Sequence, residues 1–172
     1  MKRRLGDSED TILVTQSNLA STYASIGKVE QALEMDRVIY CGRVKLDGKE
    51  SKSTLLAALN YASSLYDLQR FKEARSLMRK IIPAARRVFG ENNEFTLKMR
   101  KIFADSLYND DDATLDDLRE AVAMLEETER TTRRVFGGAH PLTNRMEKTL
   151  RQARAALCAH KTPSPPPPPE SI

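Results

Sequence analysis

Residues of similar character recur along this chain at a fixed interval of 42 positions. Residues 60–74 repeat the pattern of residues 18–32, with an asparagine and two alanines in matching places. The same interval separates Gly6, Gly48 and Gly90. The third unit is five residues longer, because an insertion falls between Ala104 and Ala121. A repeat of this length predicts a stack of similar units, each packed mainly on its neighbours.

Within each unit the pattern is that of a helical hairpin. Small residues (Ala20, Ala62 and Ala104) follow a large apolar residue, and another large apolar residue comes three positions later, which marks one packed face of a helix. In the first two units a second alanine, Ala32 or Ala74, lies twelve positions further on, where a following helix must approach closely. This is the spacing of tetratricopeptide repeats.

Six of the eight prolines lie in the last ten residues, so the body is poor in helix breakers. We therefore predict an all-α fold of antiparallel helix hairpins, with about three and a half units and about seven helices. The predicted parts are a charged lead-in (1–9), repeats at about 5–46, 47–88 and 89–135, a capping helix (141–159) and a disordered proline-rich tail (160–172). Within the repeats the predicted helices are at about 10–25, 29–45, 53–67, 71–88, 94–108 and 115–135.

Three positions carry local predictions. Gly27 supplies a left-handed turn between the first two helices. Pro83 lies inside a helix and predicts a kink near Arg79 to Ile82, because proline removes a backbone donor. Asp36 falls where a large apolar residue is expected, and either compensation by Arg37 or a frayed helix end would account for it.

The acidic insertion at 110–117 suggests either a calcium loop or a helix cap. An EF-hand loop needs glycine at its sixth position and glutamate at its twelfth. Leu115 and Ala121 occupy those positions here. Thr114 followed by Asp117 instead has the spacing of a capping box, so we predict a helix start and no metal site.

The repeat length and the linkers resemble those of the kinesin light chain family. The linker before the last helix reads Phe-Gly-Gly-Ala-His-Pro-Leu-Thr at 136–143, and an Asn-Leu-Ala sequence opens at Asn18. The resemblance covers about residues 5 to 157. It implies a right-handed α-solenoid whose first helices line a concave groove that holds a peptide segment of a partner protein.

In that family the asparagine before Leu-Ala points toward the bound peptide, where its amide can donate and accept hydrogen bonds. The matching positions here are Asn18 and Asn60, whereas Ile102 and Thr149 interrupt the series. The alternative is that the two asparagines only tie neighbouring helices together. The predicted groove residues are Asn18, Ser21, Asn60, Ser63, Tyr66, Asp105 and Tyr108.

Charge is uneven along the chain. Residues 77–101 hold seven basic and two acidic residues, whereas residues 105–120 hold seven acidic and one basic. The candidate basic patch consists of Arg79, Arg86, Arg87, Arg100 and Lys101. It suggests phosphate or acidic ligands, but the neighbouring acidic stretch and the absence of interleaved aromatic residues argue against nucleic acid.

No motif in the sequence supports catalysis or a cofactor. His140 stands alone beside Pro141 and is interpreted as a linker histidine bonded to the backbone, and the two cysteines belong to no metal cluster. No apolar stretch is long enough to cross a membrane, so we expect an intracellular, cytoplasmic protein.

The sequence alone leaves three questions open. Pro165 to Pro169 form either a plain disordered end or a ligand for an SH3-like or WW-like domain. The first hairpin has no cap, so either it tolerates exposure or the chain is the C-terminal part of a longer array. The function is either peptide binding in the groove or, alternatively, a structural or self-associating role through that first hairpin.

Overall fold

A computed structural model describes the backbone of residues 2–161 and the side chains of residues 8–160. This part of the chain is all-α, as predicted, and contains no strand. The elements in chain order are α1 (Lys2–Ser25), α2 (Val29–Asp47), α3 (Lys52–Asp67), α4 (Phe71–Phe89), α5 (Glu94–Tyr108), α6 (Leu115–Phe136) and α7 (Pro141–Lys161).

Each helix packs on the helices before and after it in the chain, and α5 also contacts both α3 and α7. The alanines of the repeat lie where the helices cross, because only a small side chain lets two backbones come this close. All of them are buried: Ala20, Ala32, Ala62, Ala74, Ala104 and Ala121. The fold is therefore an α-solenoid of tetratricopeptide type, confirming the fold class predicted from the repeat.

The linkers between units share one hydrogen bond that explains their repeated Gly and Thr. The Oγ1 atoms of Thr54, Thr96 and Thr143 donate to the carbonyl oxygens of the glycines six residues earlier, at 2.7, 2.8 and 2.8 Å. Those three glycines have φ between 82° and 96°, a conformation that glycine adopts without steric cost. The bond fixes the angle at which each new unit leaves the previous one.

The first unit lacks this bond, since Ile12 occupies the threonine position. Helix α1 accordingly begins at Lys2 rather than near Asp10, and it runs straight through Gly6. From Lys2 onward, the predicted charged lead-in (1–9) is therefore part of this helix. Without a hydroxyl group to hold a linker carbonyl, the backbone continues its helical hydrogen bonds, and one interior glycine costs only about 1 kcal/mol.

The turn inside each hairpin also follows the repeat. Gly27 has φ 79°, as predicted for the first turn, and Gln69 takes the equivalent left-handed conformation in the second unit. Helix α4 continues without interruption through Pro83, whose ring is exposed. The bend near Pro83 stays a prediction.

The structure corrects both explanations offered for Asp36. Asp36 is buried in the middle of α2 and accepts a hydrogen bond of 2.6 Å from Ser64 Oγ of α3. Arg37 pairs instead with Glu34 on the surface. The polar residue is therefore tolerated because the neighbouring unit supplies a hydroxyl donor, a partner that lies 28 residues away in sequence.

Burial raises the pKa of Asp36, and the Ser64 hydrogen bond opposes that shift only in part. A carboxyl whose pKa is raised on folding stabilises the protein most below its unfolded pKa and loses that contribution as the pH rises through the folded pKa. We expect Asp36→Asn, which keeps an acceptor for Ser64, to raise the free energy of unfolding at neutral pH by about 1 kcal/mol. Urea unfolding at pH 7 and pH 3.5 tests this: the gain disappears at the lower pH, and a gain equal at both would contradict the account.

The acidic insertion forms the predicted capping box at the start of α6. Thr114 Oγ1 accepts from the backbone N–H of Asp117, and the Asp117 carboxylate accepts from the backbone N–H of Thr114. The Thr114 hydroxyl also donates to Asp117 Oδ2, and this bond, followed by that from the Thr114 N–H, lowers the pKa of the Asp117 carboxyl. Among the described residues no cluster of histidine, cysteine, aspartate or glutamate is arranged to hold a metal ion.

Candidate functional site

Helices α3, α5 and α7 form one continuous face, because α5 lies between α3 and α7 and contacts both. Two cavities open on this face. The larger, about 540 Å³, lies between α3, α5 and α7. The smaller, about 200 Å³, lies where α1 and α2 meet α3. In a helical solenoid this is the concave side, which such proteins use for binding.

Four of the predicted groove residues line the larger cavity: Asn60, Ser63, Tyr66 and Asp105. Asn60 also lines the smaller cavity together with Asn18, so one asparagine borders both. Both asparagines are exposed, and neither side chain has a hydrogen-bond partner among the described residues. They do not tie neighbouring helices together, contrary to the alternative interpretation.

Two predicted residues lie outside both cavities. Ser21 donates to the carbonyl oxygen of Ser17 in its own helix, at 3.0 Å. The Tyr108 hydroxyl donates to Gln152 Oε1 at 3.5 Å and thereby links α5 to α7. Burial and the negative charge of Asp105 raise the pKa of the Tyr108 hydroxyl. Tyr108 therefore borders the groove as part of its framework.

Tyr66 is held in place from two sides. Its ring packs on Phe71 with 5.5 Å between ring centroids, and its hydroxyl accepts from Asn109 Nδ2 at 3.2 Å. Burial, followed by the charges of Asp105 and Asp67, raises the pKa of Tyr66 to about 12. The hydroxyl therefore stays neutral and keeps its proton available to a ligand.

Asp105 is the most unusual residue of the larger cavity, since this acidic residue is only 3% exposed. Oδ2 pairs with the Lys101 ammonium one turn earlier in α5, whereas Oδ1 has no hydrogen-bond partner in the described structure. Burial raises the pKa of this carboxyl, and Lys101 and the Tyr108 hydroxyl act against that shift. A buried acceptor without a donor is costly.

The floor and the rim of the larger cavity were missed by the sequence analysis. The floor is apolar, and the rim carries charged groups from all three helices. The lining residues beyond the predicted four are Leu56, Leu59, Asp67, Phe95, Lys98, Lys101, Ile102, Leu142 and Arg145. One feature of the sequence could have indicated part of this lining. The same place in successive units, one turn before the asparagine position, is occupied by Leu56, Lys98 and Arg145.

The five residues of the predicted basic patch do not form a free cationic surface. Each is paired with a carboxylate, and Arg100 is buried. The pairs are Arg79–Glu120, Arg86–Glu91, Arg87–Glu50, Arg100 with Glu91 and Glu127, and Lys101–Asp105. The basic stretch of α4 and the acidic stretch that begins α6 face each other about one repeat apart, as Arg75 and Asp117 also show at 3.4 Å.

His140 is bonded to the backbone, as predicted. Its Nδ1 accepts from the backbone N–H of Leu142 at 3.2 Å, and its ring stacks on Phe136 with 4.8 Å between centroids. Accepting at Nδ1 requires the neutral tautomer with the proton on Nε2. The side chain therefore caps the start of α7, the role that Ser51 and Asn93 have in the two preceding units.

The geometry defines a tetratricopeptide-repeat solenoid with an open groove. Residues 54–94 match the family model of the tetratricopeptide repeat. Such repeats mediate protein–protein interactions, and the fold is typically a non-catalytic scaffold. No helix within the described residues is both long and apolar enough to cross a membrane.

Solved structures with a similar fold include a kinesin light chain-like protein, the family that the sequence resembles. A candidate kinesin light chain from Podosopora anserina with nearly identical TPR-like repeats superposes with a TM-score of 0.73 at 20% identity, over 84% of this chain and 66% of that one. BtubC (BKLC) from P. vanneervenii gives a TM-score of 0.57 at 15% identity, over 95% of this chain and 70% of that one. At these identities the likeness concerns the fold. The present chain spans slightly less than two thirds of the Podosopora protein, and a comparison with curated protein sequences found no significant match.

Proposed function

We propose that the protein is a non-catalytic interaction scaffold that binds an extended peptide segment of a partner protein in the groove of α1, α3, α5 and α7. The larger cavity is the observation that supports this most strongly. It combines an apolar floor with polar groups whose hydrogen-bonding capacity is unused, which is the usual composition of a binding site.

The groups in the cavity indicate how a peptide would bind. An apolar side chain fits the floor of Leu56, Phe95 and Leu142. The Asn60 amide can donate to and accept from a peptide backbone. Arg145 lines the rim and has no ion-pair partner among the described residues, so its guanidinium can take a carboxylate or a carbonyl of the ligand.

Panning a random peptide library on the purified protein tests the proposal, with the variant Asn60→Ala as the main comparison. Asn60 is exposed and bonded to nothing in the described structure, so its removal should leave folding intact. We expect the selected peptides to bind the variant about tenfold more weakly, the scale of one or two hydrogen bonds. Asn144→Ala, an equally exposed asparagine that lines neither cavity, should bind like the parent.

The variant Tyr66→Phe tests peptide binding in the groove in a second, independent way. The phenylalanine keeps the packing on Phe71 and removes only the hydroxyl, whereas Tyr66→Ala would also disturb the core. A several-fold loss of peptide affinity is expected. If no peptide is enriched, or if the enriched peptides bind both variants as tightly as the parent, the groove is not the binding site.

The proposal also covers the location of the protein in the cell and two other kinds of ligand. We infer an intracellular, cytoplasmic location, in keeping with the resemblance to kinesin light chains. The ion pairs of the basic residues leave nucleic-acid binding without support. An SH3-type or WW-type contact through Pro165 to Pro169 lies outside the described residues and stays a prediction.

A further inference from the structure

We propose that the exposed face of α1 is a self-association surface, on which α1 of a second copy packs antiparallel about a two-fold axis at Leu19. This inference does not depend on the groove. It begins with an exposed apolar row along α1 and the first residue of the turn after it: Ile12 is 52% exposed, Leu19 44% and Ile26 59%. The three residues are seven positions apart, so they follow one stripe of the helix.

The equivalent residues in the next units show what kind of surface such a stripe contacts. One unit later, the equivalents of Leu19 and Tyr23 are Tyr61 and Leu65 in α3. Tyr61 stacks on Tyr40 of α2 with 6.1 Å between centroids, and Leu65 packs in one cluster with Leu33 of α2. In the third unit the equivalent of Leu19 is the buried Phe103. The stripe of α1 therefore has the composition of a helix–helix interface, yet none of the described helices covers it.

The opposite end of the solenoid is closed to stacking. In the fourth unit, the place of the buried Ala104 is taken by Arg151 and that of Leu107 by Arg154. Both arginines are exposed, and Arg154 pairs with Glu126 at 2.7 Å. A head-to-tail contact would bury these charges against the apolar face of α1. A contact between two copies of the α1 face avoids that cost and closes as a two-fold dimer.

The α1 face is self-complementary in the antiparallel direction. With Leu19 at the axis, Ile12 faces Ile26 of the second copy, and the small Thr15 faces the large Tyr23 of the second copy. An open cavity of about 390 Å³, lined partly by Ile12, Leu13 and Leu46, lies at this end of the molecule and is placed to receive Ile26 of the second copy.

The charges at the two ends of the stripe also favour antiparallel packing of the two α1 helices. Glu9 lies on the stripe one turn before Ile12 and has no ion-pair partner in the described part of the chain. Lys28 follows the stripe at its other end, with its ammonium 5.8 Å from the centroid of the Tyr23 ring. The two-fold axis brings Glu9 of one copy toward Lys28 of the other, so the pairing places opposite charges together at both ends.

Sedimentation equilibrium of the full chain, in reducing buffer because Cys41 and Cys158 are exposed thiols, measures the association. We expect a monomer–dimer equilibrium for the parent. Leu19→Glu places two carboxylates face to face at the axis and should weaken the dimer about a hundredfold or more. Leu19→Lys should do the same. An equimolar mixture of the two variants should restore dimers, because Glu then meets Lys.

Val135→Glu is the matched control, since Val135 of α6 is 43% exposed and lies away from α1. It should associate like the parent. Helical content by circular dichroism should be equal in all variants, as Leu19 is half exposed. The proposal is overturned if the parent sediments as a 19.4 kDa monomer at all concentrations, which would leave the face to a different partner. Dimers that persist in Leu19→Glu alone, or that the mixture fails to restore, would equally overturn it.

Discussion

Replacing Arg100 with alanine is expected to lower the free energy of unfolding by about 3 kcal/mol, the scale of truncating a large buried side chain. Arg100 is 1% exposed and is the largest fully buried side chain among the described residues. Its guanidinium is buried as well and pairs with Glu91 Oε1 at 2.9 Å and Glu127 Oε2 at 2.6 Å, whereas Nε has no hydrogen-bond partner in the described structure. The aliphatic part of the side chain therefore fills the core while the charge ends at two partly exposed carboxylates.

The variant Arg100→Met distinguishes the contribution of packing to stability from the contribution of the ion pairs. Methionine fills most of the same volume, and the two glutamates that lose their partner remain in contact with water, so no buried charge is left unpaired. We expect this variant to stay within about 1 kcal/mol of the parent in urea unfolding. Equal losses for alanine and methionine would show that the ion pairs, rather than the packing, stabilise this position.

Ala104→Arg is expected to have the largest effect on folding of any change considered. Ala104 is fully buried in the main core cluster, where α5 meets its neighbours. A guanidinium there would have neither room nor a carboxylate partner, and substitutions of this kind cost more than about 4 kcal/mol. Since a domain of this size is stable by only about 5–15 kcal/mol, the variant should be largely unfolded at 37 °C.

The matched change is Arg151→Ala, because Arg151 occupies the equivalent place in the fourth unit and is exposed. Its thermal midpoint should stay within a few degrees of the parent's, as expected for a surface substitution. Thermal melts followed by circular dichroism measure both variants. A cooperative melt of Ala104→Arg near the parent's midpoint would contradict the proposed packing of the repeat.

The helices were predictable because each unit repeats the same short-range pattern. The spacing of alanines and large apolar residues placed the start of α5 at Glu94 and of α6 at Leu115, where the structure has them. Thr114 and Asp117 indicated a capping box for the same reason, since both partners lie within one turn. Local features of this kind depend on neighbours that the sequence displays side by side.

Contacts between units were not predictable in the same way. The basic residues of α4 suggested a cationic patch, but two of them pair with carboxylates of distant segments, Arg79 with Glu120 and Arg87 with Glu50. Asp36 looked misplaced until Ser64 of the next unit was seen to donate to it. The cavity floor likewise combines single residues from three helices. Only the repeat register, applied between units as well as within them, would have indicated these pairs.

The central claim is that the cavity between α3, α5 and α7 holds a peptide. The most direct measurement is a two-dimensional NMR titration of the ¹⁵N-labelled protein with a peptide selected by panning. The account predicts that the largest shift changes fall on the cavity residues, above all Asn60, Ile102 and Asp105, and that the signal of Val135 on α6 stays in place. Shift changes confined to α1 near Leu19, or to the outward faces of α4 and α6, would contradict it.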